Sequence, residues 1–123
     1  MDRYFLVAFG AAAGGLARYI FGTAVMRRFP GQFPLGTLAV NVTGCFLIGI
    51  LMTYLTERMA SNVNLRLLLV AGFLGGYTTY SSFAWETYQS IRDGSPWLGL
   101  INILASVILG YAAVWCGAVL AKR

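Results

Sequence analysis

Four apolar runs, separated by short polar or turn-forming segments, account for nearly all of the chain: Tyr4 to Met26, Leu35 to Thr56, Leu65 to Ile91 and Trp97 to Ala121. Each reaches or exceeds the roughly 20 residues that a helix needs to cross a bilayer. Between them, Arg27 to Pro34 holds Pro30, Gly31 and Pro34, Glu57 to Asn64 is polar, and Asp93, Gly94, Ser95 and Pro96 form a turn. The pattern predicts an all-α membrane protein of four transmembrane helices, with 1–123 forming a single four-helix unit. No stretch between the runs is long enough to bury a core, which excludes a soluble catalytic domain. Cleavage of a leader at Ala11 to Ala13 is not expected, because the apolar part before it is short and its basic flank is one Arg3 beside Asp2.

The third run departs from this simplicity. From Gly72 to Phe83 it reads G-F-L-G-G-Y-T-T-Y-S-S-F, with three glycines and then six consecutive hydroxyl side chains, Tyr77 to Ser82. Glycine costs about 1 kcal/mol relative to alanine inside a helix, and threonine and serine offer the backbone competing hydrogen bonds, so the third helix is expected to break near its middle, around Gly75 to Thr79. Lipid cannot satisfy freed carbonyls. Broken backbone at that depth must lie in protein or line a wet cavity, which makes the stretch a candidate ion or substrate site. Beyond the break, Tyr80 and Phe83 stand three residues apart and share a helical face; such a pair packs a core more often than it lines a path, but the hydroxyl run beside it favours a lining.

Few other polar residues interrupt the runs, and each has a plain reading beside a functional one. Arg18 either snorkels to the nearby end of its span or draws anions into a vestibule. Asn41 either bonds a neighbouring helix or presents its amide N–H to a passing anion; Thr37 and Gly44 or Cys45 share its face. Glu86, one turn after Ser82, caps or accepts from buried donors or from Arg18. Asn102, Ser106 and Gly110 repeat at four-residue steps, a stripe that marks either a helix contact or a hydrated path. In the first run, Gly10 and Gly14 form a small-xxx-small face for close helix approach.

Composition agrees with this and narrows the function. The chain is 59% hydrophobic and 11% charged, a membrane-protein balance. Its net charge of +5 is scattered over loops and ends, so nucleic acid is not an expected partner. With both ends and the Glu57 to Asn64 loop on one side, that side holds Arg3, Arg58, Arg66, Lys122 and Arg123, and the other holds Arg27, Arg28 and Arg92. So small an asymmetry lets a protein insert both ways. Cys45 and Cys116 have no partner at metal or disulfide spacing and read as structural. There is no histidine, no nucleotide motif and no nucleophile with a base, so an enzyme is not expected.

Three blocks carry a family resemblance: G-G-L-A-R-Y at Gly14 to Tyr19, G-T-L-A-V-N-V-T-G at Gly36 to Gly44, and the Gly72 to Phe83 block. Together they resemble the signature blocks of the CrcB (Fluc) fluoride channels, in order and at similar separations over essentially the whole chain. The resemblance implies an antiparallel, dual-topology dimer in a prokaryotic plasma or inner membrane, with two fluoride pathways and a structural sodium ion at the dimer centre. The partner chain would be a second copy or a paralogue. By motif position Asn41 is the pore asparagine, Tyr80 and Phe83 the aromatic pair facing fluoride, and Gly75 and Thr78 the backbone carbonyls toward sodium. Thr79 and Ser81 join the pore set, and Ser106 belongs to a polar track on the fourth helix. Tyr80 stands where the family usually has phenylalanine, and Asn102 where some relatives have an aromatic hydroxyl. The residues independently suit an anion path without a fixed positive charge. The rivals are a small proton-coupled multidrug exporter, which needs an acid in the first span where this chain has Arg18, and a non-transporting membrane scaffold.

Overall fold

The computed structural model describes residues 2–123, and among them every regular element is helical. α1 is Asp2–Arg28, α2 Leu35–Arg58, α3 Val63–Arg92 and α4 Pro96–Lys122, each long and apolar enough to cross a membrane. The turn-forming segments end the helices where expected. Pro34 precedes α2, the Asn62 side chain caps α3 by accepting from the Leu65 N–H at 3.0 Å, and Pro96 sits in the first turn of α4. Gly94, with φ of 89°, supplies the left-handed residue of the last turn.

α3 crosses as one span but is bent and changes its hydrogen bonding along its length. It opens as an α-helix at Val63–Arg66, widens to a π-helix over Leu67–Leu74, tightens again at Gly75–Tyr77, and breaks at Thr78 and Thr79, whose backbones are extended. Tyr80–Arg92 then resumes the helix. The break is therefore narrower than the expected Gly75 to Thr79, since Gly75 keeps helical angles of −61° and −38°. The π stretch has no counterpart in the sequence reading. A π stretch is a rare departure from the α pattern, and the apolar run Leu67–Leu74 holds no proline or polar residue that would mark it.

Helix contacts are made by residues without side chains in the way. Gly10 and Gly14 press α1 against the first half of α3: a Cβ on Gly10 would lie 2.8 Å from the Phe73 nitrogen, and one on Gly14 2.9 Å from the Tyr77 nitrogen. Gly49 and Gly117 do the same between α2 and α4. Close backbone approach of this kind replaces the hydrophobic drive that lipid does not provide. Among the described residues, only Leu38, Val40, Leu55, Leu74 and Tyr77 are buried large apolar side chains, and Val40, Leu74 and Tyr77 pack together. Tyr19, Trp97, Val107 and Tyr111 are among the many large apolar side chains that face outward, which suits acyl chains or another protein.

Candidate functional site

The break in α3 is held open from outside the helix. Asn41, about two turns into α2, grips Thr79 with both ends of its amide: Oδ1 accepts from the Thr79 N–H at 2.8 Å and Nδ2 donates to the Thr79 carbonyl at 2.9 Å. An unbroken helix would send the Thr79 N–H to the Gly75 carbonyl and the Ser82 N–H to the Thr78 carbonyl. Both amides go elsewhere, because the Ser82 N–H donates to Thr79 Oγ1 at 3.3 Å, the N-cap of the resumed helix. Gly75 and Thr78 thus lose their helical donors, and so do Gly76 and Tyr77, because neither the Tyr80 nor the Ser81 N–H reaches back across the break.

A groove of about 440 Å³ opens at the break, where Asn41, Thr78, Thr79, Tyr80 and Ser106 are set among a mostly apolar lining that includes Phe83, Ile48, Val70, Leu74 and Val107. Three helices contribute to it, and none of its lining residues carries a charge. Tyr80 is 80% exposed, with its ring centroid 5.8 Å from that of Phe83 and the planes tilted by 52°. The Ser106 hydroxyl is buried in the groove wall without a hydrogen-bond partner. In hydrocarbon an unsatisfied hydroxyl is costly.

Thr79 also lines a second groove, of about 460 Å³, with Arg18, Tyr19, Thr23, Thr37 and Ser82. One residue of the break therefore forms the wall between the two. Arg18 is half-buried there, and the one ion pair among the described residues is Arg92 with Asp93, so Arg18 does not meet Glu86. Glu86 takes the other course expected for it. Its Oε1 accepts from the Thr37 hydroxyl at 2.8 Å, while Oε2 is buried and unpartnered beside a polar hollow of about 290 Å³ that reaches Asp93.

The expected residues do not all converge. Ser81 is exposed and lines neither groove; Ser82 lines the second one, accepting at Oγ from the Thr79 hydroxyl at 3.1 Å. The signal was available in the spacing, because an N-cap threonine addresses the residue three positions on. The α4 stripe also divides. Asn102 is fully buried in a contact with α3, Gly110 admits the Cys45 sulfur, and only Ser106 reaches the groove.

The chain matches the family model described as CrcB-like protein, Camphor Resistance (CrcB), over residues 5–118. It belongs to the CrcB family. All three blocks noted in the sequence fall inside the match. Among relatives, it is similar to the fluoride-specific ion channel FluC of Solibacter usitatus, 59% identical over 121 residues that span 98% of this chain and 99% of that one. It is also similar to the FluC channels of Coxiella burnetii, 44% identical over 96% of both chains, and of Acidobacterium capsulatum, 42% identical over 98% of this chain and 97% of that one. CrcB proteins are membrane channels and not enzymes, which accords with a site built from amides, hydroxyls and ring edges.

Proposed function

We propose that this CrcB-family chain is a fluoride-selective passive channel that exports fluoride across the membrane. The observation that carries the reading is the Asn41 clasp on Thr79, which keeps a two-residue gap in α3 open beside a groove with donors and no charge. Fluoride is small and tightly hydrated, so a path must replace its water with donors and still let it leave. Asn41 Nδ2 bears two N–H groups and Thr79 uses one, leaving the other for the ion. The Ser106 hydroxyl is a further donor, and the electropositive ring edges of Tyr80 and Phe83 line the passage between them. Arg18, in the adjoining groove, attracts anions toward Thr79 without standing in the path itself.

The Gly75 and Thr78 carbonyls, stripped of their helical donors, suit a hard cation, and a structural sodium ion fits their chemistry. A single chain offers few such oxygens. A second copy in antiparallel orientation would double them and cover the exposed faces of Gly75 and Tyr80, and the weak charge asymmetry of the chain permits that insertion. When bound, the ion supplies positive charge that holds two sets of carbonyl dipoles together. Exchanging sodium for N-methylglucamine in detergent is accordingly expected to shift the protein from dimer to monomer on size exclusion with light scattering. A dimer indifferent to the exchange would remove the central site from the account.

Ser106→Ala is expected to lower fluoride flux by about tenfold, the consequence of losing one hydrogen bond to a charged species. Stopped-flow or electrode recordings at equal protein density would show it; flux unchanged from wild type would leave Ser106 outside the path. The function itself is tested in cells. After a fluoride load at mildly acidic pH, cells expressing the chain should retain less internal fluoride than cells carrying an empty vector, and equal retention would refute export.

A further inference from the structure

The second half of α3 has a brace of its own. Asn102, on α4, is 1% exposed, and its Nδ2 donates to the Thr87 hydroxyl at 2.9 Å. That hydroxyl in turn donates to the Phe83 carbonyl at 2.8 Å. Thr87 is thereby committed at both ends, its one proton given to Phe83 and its lone pair to Asn102. A helical threonine otherwise divides between two χ1 rotamers, and only one satisfies both partners here. Back-bonding of a threonine hydroxyl to the carbonyl four residues earlier bends a helix, and the turn that bends is the one that starts at Phe83.

The close approach of α4 needed for this contact comes from Gly99, one turn before Asn102. A Cβ at Gly99 would lie 3.3 Å from the Thr87 carbonyl oxygen and 2.8 Å from Ile91 Cγ1. An amide that merely joined two helices could end on any acceptor of its partner. This one ends on the hydroxyl that sets the curvature beneath a ring of the groove.

We propose that Asn102 is a positioning residue for Phe83, acting through the Thr87 hydroxyl to fix where that ring stands in the groove and so how well fluoride is told from chloride. The inference rests on the channel reading above, because the placement of Phe83 affects selectivity only if ions pass it. Asn102 and Thr87 touch no ion themselves; neither lines the groove.

The test uses the full chain in liposomes and two readouts. Thr87→Val removes the hydroxyl at nearly constant volume, and Thr87→Ser keeps it. With 4-fluorophenylalanine at position 83, the ring's fluorine resonance should move in Thr87→Val and return toward the wild-type position in Thr87→Ser. The ratio of fluoride to chloride flux should fall by about tenfold or more in Thr87→Val and recover in Thr87→Ser, the scale expected when a buried amide loses its acceptor. Asn102→Leu should match Thr87→Val, and the double variant should be no worse than either alone. An unmoved resonance in Thr87→Val, an equal loss in Thr87→Ser, or additive losses in the double variant would overturn the relay. If Asn102→Leu does not reconstitute, the Thr87 pair decides. A wild-type protein that conducts no fluoride would instead overturn the channel reading, and the resonance would still judge the relay.

Discussion

Asn41→Asp should reduce fluoride flux by about a hundredfold or more while the helices and the assembly persist. The reason lies in what aspartate keeps and what it loses. One carboxylate oxygen still accepts from the Thr79 N–H, so the amide side of the break remains held. The Nδ2 donor is gone, and with it both the bond to the Thr79 carbonyl and the remaining N–H offered to the ion. In their place stands an acceptor facing a carbonyl, and a negative charge in a groove otherwise lined by neutral groups. Repulsion and lost donors act in the same direction. Electrode recordings of fluoride leaving proteoliposomes would show the loss, and circular dichroism would show retained helix. Flux within twofold of wild type would remove Asn41 from the path.

Gly14→Val should prevent the chain from folding in any usable yield. Even the first added carbon would overlap the Phe73 carbonyl oxygen and stand 2.9 Å from both the Phe73 carbonyl carbon and the Tyr77 nitrogen. All three obstacles are backbone, so no side chain can rotate away. Relief requires α1 to move off α3 at the turn just before the break. Overpacking of this kind typically costs about 1–3 kcal/mol and occasionally more, and this site stands at the upper end because it has no soft neighbour. The purified yield of monodisperse protein in detergent should fall by about tenfold or more, and the same change at Gly31, where added atoms meet nothing, should leave it unaffected. Normal yield from Gly14→Val would show that α1 does not need its close backbone contact with α3.

Much of this architecture was readable from the residues. Length and hydropathy mark four spans because lipid demands about 20 apolar residues whatever the rest of the protein does. The break was legible too, since glycines followed by a hydroxyl run weaken a helix locally. Its limits were not. Gly75 stays helical because the clasp acts on Thr79, and a clasp between residues on different helices leaves no trace in either segment alone. Asn41 itself posed a choice between helix contact and anion donor, and the fold shows the first with an N–H remaining for the second. Ser81 and Ser82 are indistinguishable by type; which one faces the groove beside Arg18 follows from where the resumed helix starts, and the N-cap at Thr79 sets that phase. Asn102 and Ser106 share a stripe, yet Gly99 brings the level of Asn102 so close to Thr87 that one is sealed while the other opens onto the groove.

The claim beneath all of this is that a neutral, donor-lined gap beside a broken α3 conducts fluoride and refuses larger anions. The most direct measurement loads liposomes bearing the purified wild-type chain with equal fluoride and chloride, adds a potassium ionophore to release the counter-charge, and follows each anion with its own electrode. Rapid, ionophore-dependent loss of fluoride with chloride retained is the expected result. Fluoride that stays inside, or chloride that leaves as fast, would contradict it.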